Sequence, residues 1–319
     1  MTAKWHDRAW QEWRSAMNGP RMHHAWLLAG KKGLGKTEFA LAAAAELVGH
    51  GPLGDDEHHP DIIYLDHPPK DDKEDRKRAE GKPYERKRNI TVSQIRAMQQ
   101  RLTTRPTLGD KRAIIIDPAD DMEKGASNAL LKSLEEPPVG TVFLLVSHKP
   151  SRLLPTIRSR CRMLRFNALA DEEIEQLLRN QAMDADGGTR VAATIAANGS
   201  PGVALDFVEQ DLGRFLDPMR LLLENGDPDF ALRGKLTEAV GARPKRETLE
   251  AVIDLARSLL LAQVAEADRA SQGRMIDAHA KLVELSGQVA TYNFDPGLLV
   301  AQIGTLLASA APASERANV

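Results

Sequence analysis

Residues 30–37 read Gly-Lys-Lys-Gly-Leu-Gly-Lys-Thr, a G-x-x-x-x-G-K-T run placed between the apolar stretch 26–29 and a second stretch, 37–48. In the latter, Phe39, Ala43 and Leu47 share one helical face, and Ala40, Ala44 and Val48 share the adjacent one. A strand, a glycine-rich turn and a buried helix in this order point to an α/β architecture with the turn at the carboxyl end of a strand. The loop comprises Gly30, Gly33, Leu34 and Gly35. Its glycines keep side chains off a curve of backbone N–H groups that, with the positive end of the following helix, can surround phosphate oxygens. The pattern assigns Lys36 to β- and γ-phosphates and the Thr37 hydroxyl to Mg²⁺. The competing reading is a turn that keeps this shape without binding nucleotide.

Further apolar runs at 62–65, 113–116 and 141–146 read as strands of the same sheet. The run 113–116 ends in Asp117, a carboxylate suited to hold Mg²⁺ through water. Pro118 follows and has no acceptor to activate a water, so efficient hydrolysis is not expected. Asp120 and Asp121 either compensate or serve as turn and capping residues. Ser147, after 141–146, emerges near the phosphates if the strands order as proposed, with a hydroxyl able to sense the γ-phosphate. A simple surface turn explains it as well. Between 126 and 136, Ala126, Leu130 and Leu134 line one helical face, and Pro137-Pro138 ends the element.

Residues 66–88 alternate acids and bases among prolines with few apolar side chains, which gives a surface excursion and not a core element. Its basic half either touches phosphate or is solvated surface. Over the whole chain, 43 Lys+Arg against 45 Asp+Glu leave a formal charge of −2, which excludes a nucleic-acid coat but not a local basic groove. The single cysteine, Cys161, excludes an internal disulfide framework and a cysteine-rich zinc ribbon. No export signal or long apolar run is present, and a soluble, cytoplasmic chain without membrane contact is expected.

After Phe166 the strand-like runs stop. Ser200-Pro201, Asp217-Pro218, Asp227-Pro228 and Asp295-Pro296 each pair an N-cap residue with proline at the first helical position, and Asn225-Gly226 ends a helix. Apolar spacings of three and four at 249–265 and 275–289 add further helices. An all-helical second half with a loose Ala/Ser/Pro tail is expected.

Eight segments in order, HAWLLAGKKGLGKTEFA, HPDIIYLD, ITVSQIR, KRAIIIDPAD, SNALLKSLEEPP, TVFLLVSH, LLPTIRSRC and GSPGVAL, span 23–205. Together they resemble the delta-prime family of bacterial DNA polymerase III, in the clamp-loader branch of the AAA+ proteins. The resemblance implies a RecA-like AAA+ nucleotide-binding domain at 1–166, a small helical lid at 167–208, and a helical oligomerisation collar and tail at 209–319. It implies membership of a heteropentameric, ATP-driven loader that places the sliding clamp on primed DNA at the replication fork. Its partners would be the gamma/tau motor subunits and the delta subunit. From the residues alone, Arg158 and Arg160 in LLPTIRSRC read either as structural salt-bridge partners or as exposed guanidinium groups for phosphate in a neighbouring subunit's site. Ser159-Arg160-Cys161 matches the family's SRC segment, and the resemblance implies that Arg160 is a finger presented in trans to ATP on the adjacent motor subunit.

Three departures from the family pattern bear on chemistry. The zinc-module cysteines of many relatives are missing at 49–60, and His50, His58, His59 and His67 make a poor replacement, so no zinc is expected. Gly202 stands where motor relatives carry a lid arginine, and Pro118 where they keep a glutamate. The chain is therefore expected to bind ATP or ADP with Mg²⁺ and to hydrolyse it little. The alternative is an AAA+ ATPase active in its own pocket, such as a helicase or helicase loader; a small-molecule phosphotransferase is a further, weaker alternative.

Overall fold

The computed structural model describes residues 6–49, 59–241, 244, 246–265, 267–289 and 294–312. It divides into two compact units, Met1–Ala168 and Leu169–Val319. The first runs α1 (Asp7–Met17), β1 (Ala25–Ala29), α2 (Lys36–Val48), β2 (Ile62–Leu65), α3 (Asp72–Ala79), α4 (Val92–Arg101), β3 (Arg112–Ile116), α5 (Lys124–Glu135), β4 (Thr141–Ser147), α6 (Pro155–Arg158) and β5 (Arg162–Arg165). The strands form one sheet, ordered β2-β3-β4-β1-β5, and every pairing is parallel.

Strand side chains alternate between two cores, as the pleat requires. Ala25, Leu27, Ile114, Ile116, Phe143 and Leu145 face α4 and α5, where Ile95, Met98, Ala126, Leu130 and Leu134 are buried. Trp26, Leu28, Ala113, Ile115, Leu144 and Val146 face α1 and α2, against Trp13, Phe39, Ala40, Ala43 and Leu47. The Trp13 and Trp26 rings meet edge to face at 5.5 Å, and both are fully buried. A sheet covered on both faces explains why its inner strands read as continuous apolar runs.

Four strands fall where the apolar runs predict. The fifth, β5, reads Arg-Met-Leu-Arg and buries only Leu164. As an edge strand it needs no apolar run, and the periodicity therefore misses it. The excursion 66–88 lies at the surface but contains α3, ordered by polar contacts: Asp71 caps the helix by accepting from Glu74 N at 2.9 Å, and buried Glu74 accepts from Glu85 N at 2.7 Å. The stretch 50–58, with His50 and His58, lies outside the described residues. His59 is buried and accepts from Asp61 N at 3.1 Å, while His67 faces Asp121 at 3.2 Å.

At the amino end of the sheet, Asp61 and Arg112 are both buried and stand 3.6 Å apart. Asp61 accepts from Thr107 N and Leu108 N at 2.6 and 2.8 Å, and Arg112 donates to the carbonyls of Arg101, Thr104 and Arg105. Burial acts to raise the Asp61 carboxyl, but these amides and the guanidinium outweigh it and hold it below the usual carboxylate range.

The second unit is helical throughout its described residues: α7 (Asp171–Gln181), α8 (Gly187–Ala197), α9 (Pro201–Glu209), α10 (Gly213–Asn225), α11 (Ala231–Val240), α12 (Arg246–Val264), α13 (Arg269–Val289) and α14 (Pro296–Ala310). Ser200-Pro201 and Asp295-Pro296 start α9 and α14 as expected, and Asn225-Gly226 ends α10. Two helix starts are corrected. Pro218 lies inside α10, because Phe215 and Leu216 are buried with Met219, Leu222 and Leu223 and draw the preceding turn into the helix. α11 begins at Ala231 and not at Pro228; Asp227 still caps it, accepting from Leu232 N and Arg233 N at 3.0 and 3.1 Å. The expected loose tail at 313–319 lies outside the described residues. No helix among the described residues is long and apolar enough to cross a membrane.

Candidate functional site

The glycine-rich loop leaves β1 at its carboxyl end and enters α2 directly. Gly30 N donates to Ser147 O at 3.2 Å and Phe166 N to Ala29 O at 2.8 Å, so the loop is pinned to the neighbouring strands β4 and β5. A Cβ at residue 30 would stand 2.5 Å from Phe166 O, which restricts the position to glycine. Gly33 and Gly35 have φ of 77° and 71°, the left-handed region that other residues enter only with strain. Leu34 is buried, and its carbonyl meets His6 Nε2 at 2.6 Å, tying the N-terminal segment to the loop.

Lys36, 2% exposed, turns its ammonium back onto the loop and donates to Gly30 O at 2.8 Å and to Lys31 O. Burial lowers its pKa to about 8, partly opposed by the charges of Asp117, Asp120 and Glu38. Thr37 Oγ1 donates to Asp117 Oδ2 at 2.6 Å, and Tyr64 Oη donates to the same oxygen at 3.2 Å. Burial and then the Asp117 carboxylate push the Tyr64 phenol far above its usual range, so it stays a donor. The peptide between Asp117 and Pro118 is cis.

Asp120 occupies the space beyond β4. It accepts from Ser147 Oγ at 2.6 Å, from Lys149 N at 2.9 Å and from His148 N. Asp121 faces His67. Both acids are engaged by distant partners and neither side chain bonds the backbone of its own turn among these contacts, and the single hydroxyl proton of Ser147 is donated to Asp120. His148 Nδ1 is buried without a partner among the described residues, and burial followed by the charge of Lys36 holds the ring below the usual histidine range.

These residues fit a magnesium nucleotide. A hydroxyl and a carboxylate lie side by side, the oxygen donors that a hard cation prefers. A buried ammonium and the open amides of the first turn of α2 supply the charge that a polyphosphate requires. Lys36, Thr37 and Asp117 would hold the group. When bound, it would supply a phosphoanhydride and the electrophilic metal. Among the described residues, no cluster of His, Cys, Asp and Glu is arranged to hold a metal on its own.

Arg160 is not part of this constellation. It follows α6 and precedes β5, whose first residue, Arg162, pairs in register with Trp26. In a parallel sheet this places it at the amino edge, whereas Gly30, Asp117 and Ser147 stand at the carboxyl edge. Its Nη2 donates to Glu135 Oε1 at 2.6 Å and its Nη1 to Thr156 O at 2.9 Å. The neighbouring Cys161 is partly buried, and burial pushes its thiol up to about 12, which fits packing and not nucleophilic chemistry.

Sequence reasoning misses Tyr64, His6, His148 and Glu135 at these sites. Tyr64 carries a weak signal, since a polar aromatic in an apolar strand at a sheet edge needs a partner for its hydroxyl. The other three are set by contacts that no local spacing encodes.

A family model described as "DNA polymerase III, delta subunit" matches residues 5–170, more than half of the chain. The DNA polymerase III subunit delta' of Pseudomonas aeruginosa is 36% identical over 171 residues, 49% of this chain and 46% of that protein. Its counterpart in Escherichia coli is 31% identical over 206 residues, 60% of this chain and 56% of that protein. The matches thus span about half the length of these relatives. Among solved structures, a DNA polymerase III gamma subunit-related protein from Thermotoga maritima aligns with a TM-score of 0.50 at 17% identity, covering 95% of this chain and 99% of that one, a likeness of fold. With a RecA-like α/β unit followed by a helical one, and with the family model matched across the first unit, the chain belongs to the delta-prime family of DNA polymerase III clamp-loader subunits.

Proposed function

We propose that this chain is the delta-prime-type subunit of a cytoplasmic, ATP-driven clamp loader and that it supplies Arg160 to the nucleotide site of an adjacent tau/gamma motor subunit. In this reading α7, α8 and α9 form the lid at 167–208, and the remaining helices form a collar that joins it to the motor and delta subunits. The assembly loads the sliding clamp onto primed DNA. The observation that carries the in-trans role is the placement of Arg160 on the edge of a parallel sheet opposite its own phosphate loop. A five-residue strand at roughly 3.3 Å per residue separates the two edges by about 16 Å, too far for one guanidinium to serve its own pocket.

Its own pocket binds nucleotide through the loop 30–37 and Asp117 but turns it over weakly. Pro118 has no acceptor, and the two acids that follow it are engaged, Asp120 by three donors and Asp121 by His67. Neither of these acids is then free to orient an attacking water. Ser147 would meet a γ-phosphate only after exchanging its bond to Asp120. The test is single-turnover ATP hydrolysis by the reconstituted loader with clamp and primed DNA. Arg160→Ala should slow the adjacent motor site by about 10³-fold or more, as loss of a functioning finger does. Hydrolysis and loading at the unmodified rate would reject the role.

A further inference from the structure

We infer that Glu135 is the positioning residue for Arg160: the carboxylate at the end of α5 fixes the guanidinium before a neighbour's triphosphate arrives. The inference rests on the in-trans reading of Arg160 and deepens it. Arg160 is held at two points, Glu135 Oε1 at 2.6 Å and Thr156 O at 2.9 Å, each using one N–H of a different terminal nitrogen. An arginine has five N–H donors, so three remain for an incoming phosphate in a plane that is already set. The side chains of Arg160 and Glu135 are 33% and 50% exposed, open enough for a second chain to reach the guanidinium.

The anchor itself is well placed. Glu135 is the last residue of α5, whose Leu130 and Leu134 are locked in the core, and the Leu134 carbonyl meets His24 Nε2 at 2.9 Å just before β1. The carboxylate is thus carried at the end of a helix packed into the core, while Thr156 belongs to α6, anchored by fully buried Ile157. A long, flexible side chain is converted into a rigid donor by two acceptors from separate elements. Without Glu135, the ordering of the Arg160 side chain falls on the transition state of the neighbouring site.

The experiment is a double-mutant cycle in the complete reconstituted loader, read as single-turnover ATP hydrolysis across ATP concentrations. Glu135→Ala should lower the saturated rate constant about tenfold, the order expected for freezing an otherwise free arginine, with the half-saturating ATP concentration little changed. Glu135→Gln, which keeps an acceptor oxygen, should recover part of the loss. In an Arg160→Ala background, Glu135→Ala should cost nothing further. An unchanged or faster rate in Glu135→Ala overturns the inference, as does an equal loss in the Arg160→Ala background. If Arg160→Ala alone has no effect, the in-trans reading itself fails. Matching thermal melts of the variant and parent chains separate these outcomes from misfolding.

Discussion

Asp117→Asn separates the folding role of this carboxylate from its proposed role toward magnesium. The donors from Thr37 and Tyr64 both reach the same oxygen, Oδ2, at 2.6 and 3.2 Å. An asparagine can place its carbonyl there, so both bonds survive and only their charge assistance is lost, about 1 kcal/mol for each. The chain should fold with a melting temperature lowered by roughly 4–8 °C. The effect on a bound dication is larger. Even in a water-like dielectric, a unit charge about 5 Å from a doubly charged ion contributes roughly 1.7 kcal/mol, or about fifteenfold in affinity. Isothermal titration with Mg-ADP or Mg-ATP should therefore show about fifteenfold weaker binding. Titration with the same nucleotide in chelator should show equal or tighter binding, because a negative charge beside the phosphates has been removed. A folded Asp117→Asn protein with the magnesium dependence of the parent would refute the assignment of Asp117, and binding of neither form by the parent would refute the site.

Other consequences concern Cys161 and the buried pair at the amino end. With its thiol pushed up to about 12 by burial, Cys161 should react with an alkylating reagent at pH 8 about 10³-fold more slowly in the native chain than in denaturant; comparable rates in both states would contradict the packing seen around it. Arg112→Met removes the counter-ion of buried Asp61 and the donors to three carbonyls, and should cost about 3–5 kcal/mol in urea unfolding of the first unit; a loss under 1 kcal/mol would mean that the network is replaced by water. Asp61 is held below the usual carboxylate range in the folded chain, so its stabilisation is complete above roughly pH 4 and is lost as pH falls through its folded value. Asp61→Asn should flatten that acid limb of the stability profile, and an unchanged limb would place the acid sensitivity elsewhere.

The parts of this molecule legible in its sequence are those where periodicity and packing agree. The stretch 26–48 reads as strand, loop and helix because its strand is buried throughout and one face of its helix is buried, and the glycines at 33 and 35 carry the conformations their positions require. Legibility stops where ordering is polar or distant. β5 is an edge strand with two arginines, and α3 is stabilised by a cap and a buried glutamate in place of an apolar face. Proline at 218 reads as a helix start by local rules, but burial of Phe215 and Leu216 extends the helix across it. In the site, the loop and Asp117 are visible as motifs, whereas Tyr64 reaches Asp117 across 53 residues and Glu135 reaches Arg160 across 25. Such pairs are decided by strand order and helix ends, which no short window contains.

The central claim, that Arg160 works in another chain's site, is tested most directly by a structure of the assembled loader trapped with an ATP analogue. The account predicts the Arg160 guanidinium within about 2.7–3.2 Å of a phosphate oxygen bound by the adjacent motor subunit, with Glu135 still on its other side. An Arg160 remote from every intersubunit nucleotide, or facing its own phosphate loop, would contradict it.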